Sequence, residues 1–214
     1  MPRKKLTPIE KELKERDFRV VIFGSARTGK KDKEYRQVYN LAKAIGKRGF
    51  DLVTGGGPGL MEAANAGHSA GDPKKRSEDI GLPIKLPWEN KNNKYLEVSR
   101  RFNKFSDRLD HFMALASTVI VMEGGVGTCL EFFYTWQLIQ VKHIKPIPII
   151  LVGTMWRKLM KWIKNYPLKK GLISQSELES IHVAKNNREA IKIIDETHQK
   201  FSSHGKKYDN RDYL

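Results

Sequence analysis

Short apolar runs alternate with amphipathic segments along most of this chain. Residues 18–23 are β-branched or aromatic with one exception and end at a glycine, which is typical of a buried strand. Residues 33–48 carry apolar side chains every three or four positions, as an amphipathic helix does. Both patterns recur. They predict strands at 18–23, 51–54, 80–86, 95–102, 118–122, 146–152 and 181–184, and helices at 33–48, 60–70, 106–116, 128–141, 155–164 and 188–200.

This alternation predicts the fold class. Strands that alternate with helices form βαβ units around a parallel sheet. We therefore predict an α/β protein with a Rossmann-like, three-layer αβα architecture and a mostly parallel sheet, formed by a single domain at 18–200. Residues 1–17 are predicted to be a charged N-terminal arm, irregular or with a short helix near Thr7, and 201–214 a polar C-terminal tail.

The charge of the chain points to an anionic partner. Among 214 residues, 40 Lys and Arg outnumber 24 Asp and Glu, for a net charge of +16. Residues 142–170 hold eight basic residues and no acidic one. A nucleotide, a nucleic acid or an acidic lipid would suit such a surface, and so would a merely solvated lysine-rich face. For the basic helix at 155–164 we favour packing of Trp156, Leu159, Met160 and Ile163 on the sheet, with the lysines in water.

The remaining composition is typical of a soluble cytosolic protein. The single cysteine, Cys129, cannot form a disulfide framework, which is typical of a reducing compartment. No apolar run is long enough to span a bilayer, and the start lacks the apolar stretch of a signal peptide. We expect a cytoplasmic protein without a membrane partner.

Three glycine-rich turns follow predicted strands, where α/β sheets bind their ligands. Glycine lets backbone N–H groups approach a ligand, and the start of the next helix favours phosphate. Tight packing of strand on helix is the alternative for any one turn. The turns hold Gly24 and Ser25; Gly55, Gly56, Gly57 and Gly59; and Gly124, Gly125, Gly127 and Thr128.

Known nucleotide motifs fit these turns poorly. Gly-x-Gly-x-x-Gly is absent from all three turns, so NAD binding has no support. Residues 24–30 approach the P-loop pattern, but Lys31 stands where a Ser or Thr would bind Mg²⁺, which leaves ATP hydrolysis a minor alternative. The six histidines have no metal-site spacing, so we predict no bound metal. We also predict no cofactor.

The third glycine-rich turn lies within residues 123–131, Glu-Gly-Gly-Val-Gly-Thr-Cys-Leu-Glu. This segment closely resembles the Pro-Gly-Gly-x-Gly-Thr-x-x-Glu signature of the Lonely Guy (LOG) family of nucleoside 5′-monophosphate phosphoribohydrolases, which were long misannotated as lysine decarboxylases. Residues 54–64 resemble its other glycine-rich box, and Arg108 falls on the arginine of its Arg-Lys-x-x-Met pattern. The chain departs from the family at Glu123, which replaces the signature proline, and at Leu109 and Phe112, which replace Lys and Met.

The resemblance implies hydrolysis of AMP or an N6-substituted, cytokinin-type nucleotide to free base and ribose 5-phosphate. It assigns catalysis to Glu131 and Arg108, and it implies a homodimer. The apolar face of 128–141, with Phe132, Phe133, Trp136 and Ile139, is a candidate for burial in that dimer, and a helix packed inside the core of one chain would show the same pattern. Two alternatives stay open: a non-catalytic nucleotide or cofactor carrier and, less favoured, a nucleic-acid-associated basic protein. The substrate-binding residues that we predict are Gly24, Ser25, Gly55, Gly56, Gly57, Gly59, Met61, Gly124, Gly125, Gly127 and Thr128.

Overall fold

A seven-stranded sheet forms the centre of the molecule in the computed structural model, which describes residues 6–87, 92–204 and 209–214. Every pair of neighbouring strands is parallel, and the order across the sheet is β4-β3-β2-β1-β5-β6-β7. The predicted mostly parallel sheet is therefore confirmed. The strands are β1 Arg19–Phe23, β2 Asp51–Thr54, β3 Asp79–Gly81, β4 Val98–Ser99, β5 Thr118–Val121, β6 Ile149–Val152 and β7 Ile181–Ala184.

Helices cover both faces of this sheet. Because successive side chains of a strand point to opposite faces, Val20 and Ile22 pack against α2, α3 and α7, whereas Val21 and Phe23 belong to the core under α4, α5 and α6. These two cores give the three layers that the sequence predicts. The helices are α1 Pro8–Glu12, α2 Lys33–Gly46, α3 Leu60–Gly71, α4 Phe105–Leu115, α5 Val126–Gln140, α6 Thr154–Ile163 and α7 Asn187–His204.

Two predicted strands are much shorter in the structure. The run at 80–86 contributes only β3, and the run at 95–102 contributes only β4. Beyond these strands a parallel bridge joins Ile84 to Phe102. Pro83 cannot donate a ladder hydrogen bond, so the apolar residues after it leave the sheet and become available to line a cavity.

The structure describes part of the predicted N-terminal arm and part of the predicted C-terminal tail. Of the predicted arm, residues 1–5 lie outside the described residues, and α1 begins after Thr7, which forms a capping box with Glu10. Ile9 on α1 is buried in the core, so this part of the arm packs on the domain. Of the predicted tail, 205–208 lie outside the described residues, and Tyr213 donates a hydrogen bond to Asp110 on α4 (3.1 Å).

The order of the strands places a crevice between β1 and β5. The chain proceeds outwards from β1 to β4 and then returns to the other side of β1 as β5. The loops that follow β1 and β5 therefore diverge, which is where doubly wound sheets bind ligands. Within the described ranges, no helix is both long and apolar enough to cross a membrane.

Candidate functional site

A cavity of about 460 Å³ opens at the carboxyl ends of β1, β2 and β5. Nine of the predicted site residues line it: Gly24, Ser25, Gly55, Met61, Arg108, Gly125, Gly127, Thr128 and Glu131. A larger cavity, about 650 Å³, lies around Asp17, Phe50 and Arg76, near the start of β2. That second cavity contains none of the predicted site residues, so we locate the candidate site in the first.

Glu131 brings a carboxyl group into this cavity from the second turn of α5. Its side chain is 12% exposed, and its Oε1 lies 3.5 Å from Nη1 of Arg108. Burial raises the pKa of Glu131 to about 7, and the positive charge of Arg108 opposes that rise. A carboxyl group that ionises near neutral pH can both accept and return a proton, as a general acid or base must.

Arg108 is held in the cavity wall by contacts from three sides. Its Nε donates a hydrogen bond to the carbonyl oxygen of Leu82 (2.6 Å), and its guanidinium lies 5.1 Å from the ring centre of Phe112. A Cβ at position 55 would overlap Nη2 of Arg108 and lie 2.7 Å from Sδ of Met61. Gly55 is therefore the residue that makes room for this buried cation.

Gly59 holds two of the glycine-rich turns together without lining the cavity. Its φ is +69°, and a Cβ there would lie 2.6 Å from the carbonyl carbon of Ala26. Next to it, the N–H of Leu60 donates to the carbonyl oxygen of Ser25 (2.9 Å). Gly56, Gly57 and Gly124 also lie outside the cavity lining. The structure thus separates predicted residues that face the cavity from those that support its loops.

Gly125 and Gly127 differ from these supporting glycines. A Cβ on either would have no heavy atom within 4 Å. Gly125 has φ −94° and ψ −154°, and Gly127 lies in α5, so neither needs a conformation reserved for glycine. The fold itself does not require these two glycines, and their lack of side chains leaves the first N–H groups of α5 open to the cavity.

The start of α5 has the properties of an anion-binding site. The first N–H groups of a helix lack intrahelical partners and carry the positive end of the helix dipole. Among the described side chains, none caps α5. Thr128, in the first turn, lines the cavity beside the two open glycines. A phosphate at this point would receive backbone hydrogen bonds without a metal or a lysine.

Glu123, which replaces the signature proline, turns its side chain away from the cavity. Its Oε1 accepts hydrogen bonds from the N–H of Met155 (3.0 Å) and the hydroxyl of Thr154 (3.2 Å) at the start of α6. These bonds lower the pKa of Glu123. The carboxylate therefore compensates the dipole of α6 and does not occupy the anion site of α5.

The P-loop alternative does not fit the structure. Lys30 pairs with Glu62 on α3 (2.9 Å), and the N–H of Gly29 donates to the carboxylate of Asp32 (2.7 Å). The helix begins only at Lys33, after that turn. In a P-loop the helix starts directly at the Gly-Lys pair, whose amides surround the phosphate, so the resemblance to this motif is limited to the sequence.

The apolar wall of the cavity was not predicted from the sequence. This wall consists of Ile84, Leu86, Phe105 and Val126. The first two follow the point at which the predicted strand 80–86 leaves the sheet, and Phe105 begins α4. Ile84, Leu86 and Phe105 belong to no motif, because their positions depend on how the loops after β3 and β4 pack, and Val126 occupies the variable position of the 123–131 signature. A flat apolar group would fit against such a wall.

The sequence of the chain is similar to those of known proteins. Residues 61–194 match the family model described as "Possible lysine decarboxylase". A pyrimidine/purine nucleotide 5′-monophosphate nucleosidase of Escherichia coli K12 is 30% identical over 129 residues, which are 57% of this chain and 28% of that protein. The chain thus spans little more than a quarter of that relative.

Two further proteins match over most of the chain, one in sequence and one in fold. The cytokinin riboside 5′-monophosphate phosphoribohydrolase LOG of Oryza sativa subsp. japonica is 25% identical over 188 residues, 86% of this chain and 76% of that protein. The molybdenum cofactor carrier protein of Chlamydomonas reinhardtii shares the fold with a TM-score of 0.63 at 18% identity, covering 86% of this chain and 99% of that one.

Proposed function

Since the chain belongs to the LOG-like family whose model is described as "Possible lysine decarboxylase", we propose that it is a nucleoside 5′-monophosphate phosphoribohydrolase. The reaction breaks the bond between the anomeric carbon and the base nitrogen. The oxygen of a water molecule joins that carbon, and the base leaves with a proton, which gives free base and ribose 5-phosphate. The observation that carries this proposal is a single cavity that holds Glu131, Arg108 and the uncapped start of α5.

In this proposal Glu131 acts at the sugar. Cleavage of an N-glycosidic bond passes through an oxocarbenium-like ribose, which a carboxylate can stabilise or supply with an activated water. Glu131 follows Thr128 by three residues on α5, close to one helical turn of about 5.4 Å. A nucleotide whose phosphate lies at the start of α5 would therefore bring its ribose towards this carboxyl group.

Arg108 and the apolar wall complete the proposed assignment. The guanidinium of Arg108 keeps Glu131 more ionised than burial alone would allow, and it can orient substrate through its planar donors. The base would lie against Ile84, Leu86 and Phe105. Among the described residues that line the cavity none is a lysine, so the wall offers no amine for the Schiff base on which pyridoxal-dependent decarboxylation depends.

A panel of nucleotides tests the proposal. Purified protein would be incubated with AMP, an N6-substituted AMP, GMP, CMP and UMP, with adenosine as the control that lacks the phosphate. We expect free base and ribose 5-phosphate in equal amounts from AMP or its N6-substituted form, and none from adenosine. Tight nucleotide binding with no base released would instead support a carrier that shares this fold.

We also propose that the protein forms a homodimer through α5. The predicted face is partly wrong, because Phe132 and Trp136 are buried in this chain's own core. The exposed apolar stripe of α5 contains Val126, Leu130 and Phe133, at spacings of four and three residues. Val126 is 88% exposed at the cavity mouth. A second copy would cover this stripe, since an exposed apolar patch of this kind is typical of interfaces.

We expect the substitution Phe133→Asp to convert the dimer into a monomer. A charge in the middle of the stripe would be desolvated without a partner on association. Light scattering after gel filtration should give about twice 24.6 kDa for the parent and 24.6 kDa for the variant. Leu172→Asp, at an exposed leucine outside α5, is the matched control and should leave the mass unchanged. A dimeric Phe133→Asp protein would contradict the proposal.

The substitution Gly127→Ala should stabilise the protein and weaken substrate binding. Alanine has the higher helix propensity, and no neighbour lies within 4 Å of the added methyl group, so stability should rise by up to about 1 kcal/mol. The same methyl group would stand in the space proposed for phosphate and should raise KM for the nucleotide about tenfold or more. Thermal unfolding and initial rates measure the two effects. An unchanged KM would show that phosphate binds elsewhere.

A further inference from the structure

Six cations form a basic face on α6 and the segment that follows it. They are Arg157, Lys158, Lys161, Lys164, Lys169 and Lys170, and all six are exposed. The chain has no Asp or Glu between Glu131 and Glu177. Within the described part of the molecule, none of the six forms an ion pair. No ion pair within the described residues therefore offsets their charge, and a surface of this kind attracts anions in general.

Two exposed aromatic rings lie within this basic face. Trp162 is 51% exposed and Tyr166 is 55% exposed, and their rings are stacked with centroids 6.1 Å apart and planes inclined by 29°. They are four residues apart, where α6 continues into a π-helical turn, Lys164–Leu168. Lys158 precedes Trp162 by one helical turn, and Lys169 follows Tyr166 by three residues. Cations therefore flank the aromatic pair along the helix.

We propose that this basic face binds single-stranded nucleic acid. Bases would stack on Trp162 and Tyr166, and the phosphates between them would contact the flanking lysines. Proteins that bind single strands without sequence preference combine these two features, because every base has a flat face and every nucleotide has a phosphate. The proposal does not depend on the hydrolase activity.

The packing of α6 favours nucleic acid over a membrane. A helix that lies in a lipid surface buries a continuous apolar face among the lipids. The apolar face of α6, with Trp156, Met160 and Ile163, is already buried in the core of this chain. The rings of Trp162 and Tyr166 remain exposed, which suffices for stacking on unpaired bases but gives little area for insertion. Double-stranded DNA is also disfavoured, since its bases are already stacked.

The basic face is separate from the proposed hydrolase cavity, which contains none of its residues. Thr154, at the start of α6, contacts Glu123 on the loop after β5. Trp162 lies eight residues further along α6, which corresponds to about 12 Å of helix. Substitutions at Trp162 should therefore leave release of base from a nucleotide unchanged. The rate of base release therefore shows whether a variant is still folded.

Fluorescence anisotropy with a labelled oligothymidylate of fifteen nucleotides tests the proposal on the full chain between 50 and 200 mM KCl. Trp162→Ala should weaken binding about tenfold, and Trp162→Phe, which keeps a ring, should recover most of the loss. Replacing Lys158, Lys161 and Lys169 by Gln should make the slope of log K against log salt shallower by about 2, since each phosphate contact on a single strand contributes about 0.7.

A charge-matched control separates the basic face from the net charge of +16. Replacing Lys185, Lys192 and Lys200 by Gln removes the same charge from exposed positions of the β7–α7 region and should leave the affinity nearly unchanged. Equal losses in the two triple variants would overturn the proposal. So would an absence of binding at 50 mM KCl, equal affinity for a duplex of the same length, or binding only to phosphatidylserine vesicles.

Discussion

Replacing Glu131 by Gln should lower kcat/KM for release of base from the nucleotide by about 10²- to 10⁴-fold, the range typical of a lost general acid or base. Gln has nearly the same shape as Glu but can neither take a proton from water nor carry a negative charge beside the developing ribose cation. Product formation would be measured as free base and ribose 5-phosphate. Glu123→Gln is the matched control, because its carboxylate lies on the same loop but faces α6, and its activity should stay near that of the parent.

The same substitution should make the protein more stable at alkaline pH. Burial raises the pKa of Glu131 from 4.5 to about 7, so the folded state binds this proton more tightly than the unfolded state. The stabilisation from this proton is complete below about pH 4.5 and is lost as the pH rises through 7. At pH 8 the ionised carboxylate destabilises the fold, and Glu131→Gln should raise the free energy of unfolding by about 1–3 kcal/mol.

Urea denaturation at pH 8 and near pH 4 measures this effect, and the difference between Glu131→Gln and the parent should shrink towards zero at the lower pH. A structural ion pair with Arg108 predicts the reverse, because its loss would leave a buried guanidinium unpaired and would destabilise the protein. Lower stability of Glu131→Gln at pH 8 together with unchanged turnover would therefore contradict the catalytic assignment.

Replacing Arg108 by Gln should lower kcat/KM at pH 7 by about 10²-fold and move the acid limb of the pH profile upwards. In the parent, kcat/KM should fall tenfold per pH unit below about pH 7, as Glu131 becomes protonated. Arg108 is the positive charge that opposes the rise in this pKa. Without the charge of Arg108, Glu131 stays protonated to higher pH. The part of the decrease in kcat/KM that comes from this protonation should therefore be recovered in alkaline buffer.

Arg100→Gln is the control for this prediction. Arg100 contacts His111 on α4 (Nη1 to Nε2, 2.9 Å) and lies 5.0 Å from the ring centre of Phe102, but it does not line the cavity. Its replacement removes one guanidinium from the same region and should leave the acid limb in place. If the acid limb of the pH profile lies at the same pH in Arg108→Gln as in the parent, Arg108 does not control the ionisation of Glu131.

The sequence by itself determined the layers of the fold and the edge of the sheet at which the candidate site lies. Strand and helix periodicities fix which side chains share a face of one element, so the alternation of Val20, Val21, Ile22 and Phe23 already implied a core on each side of the sheet. A glycine-rich turn after a strand must lie at the carboxyl edge of a parallel sheet. The three-residue spacing from Thr128 to Glu131 likewise sets their separation along the helix at close to one turn, whatever packs around α5.

Only the tertiary structure decided what meets across elements. The contact of Glu131 with Arg108, the hydrogen bond of Arg108 to the carbonyl of Leu82, and the turn of Glu123 towards α6 join residues whose separation in the chain carries no distance information. Local geometry follows from bond rotations within an element, whereas these contacts, and the pKa of Glu131 with them, depend on how whole elements pack.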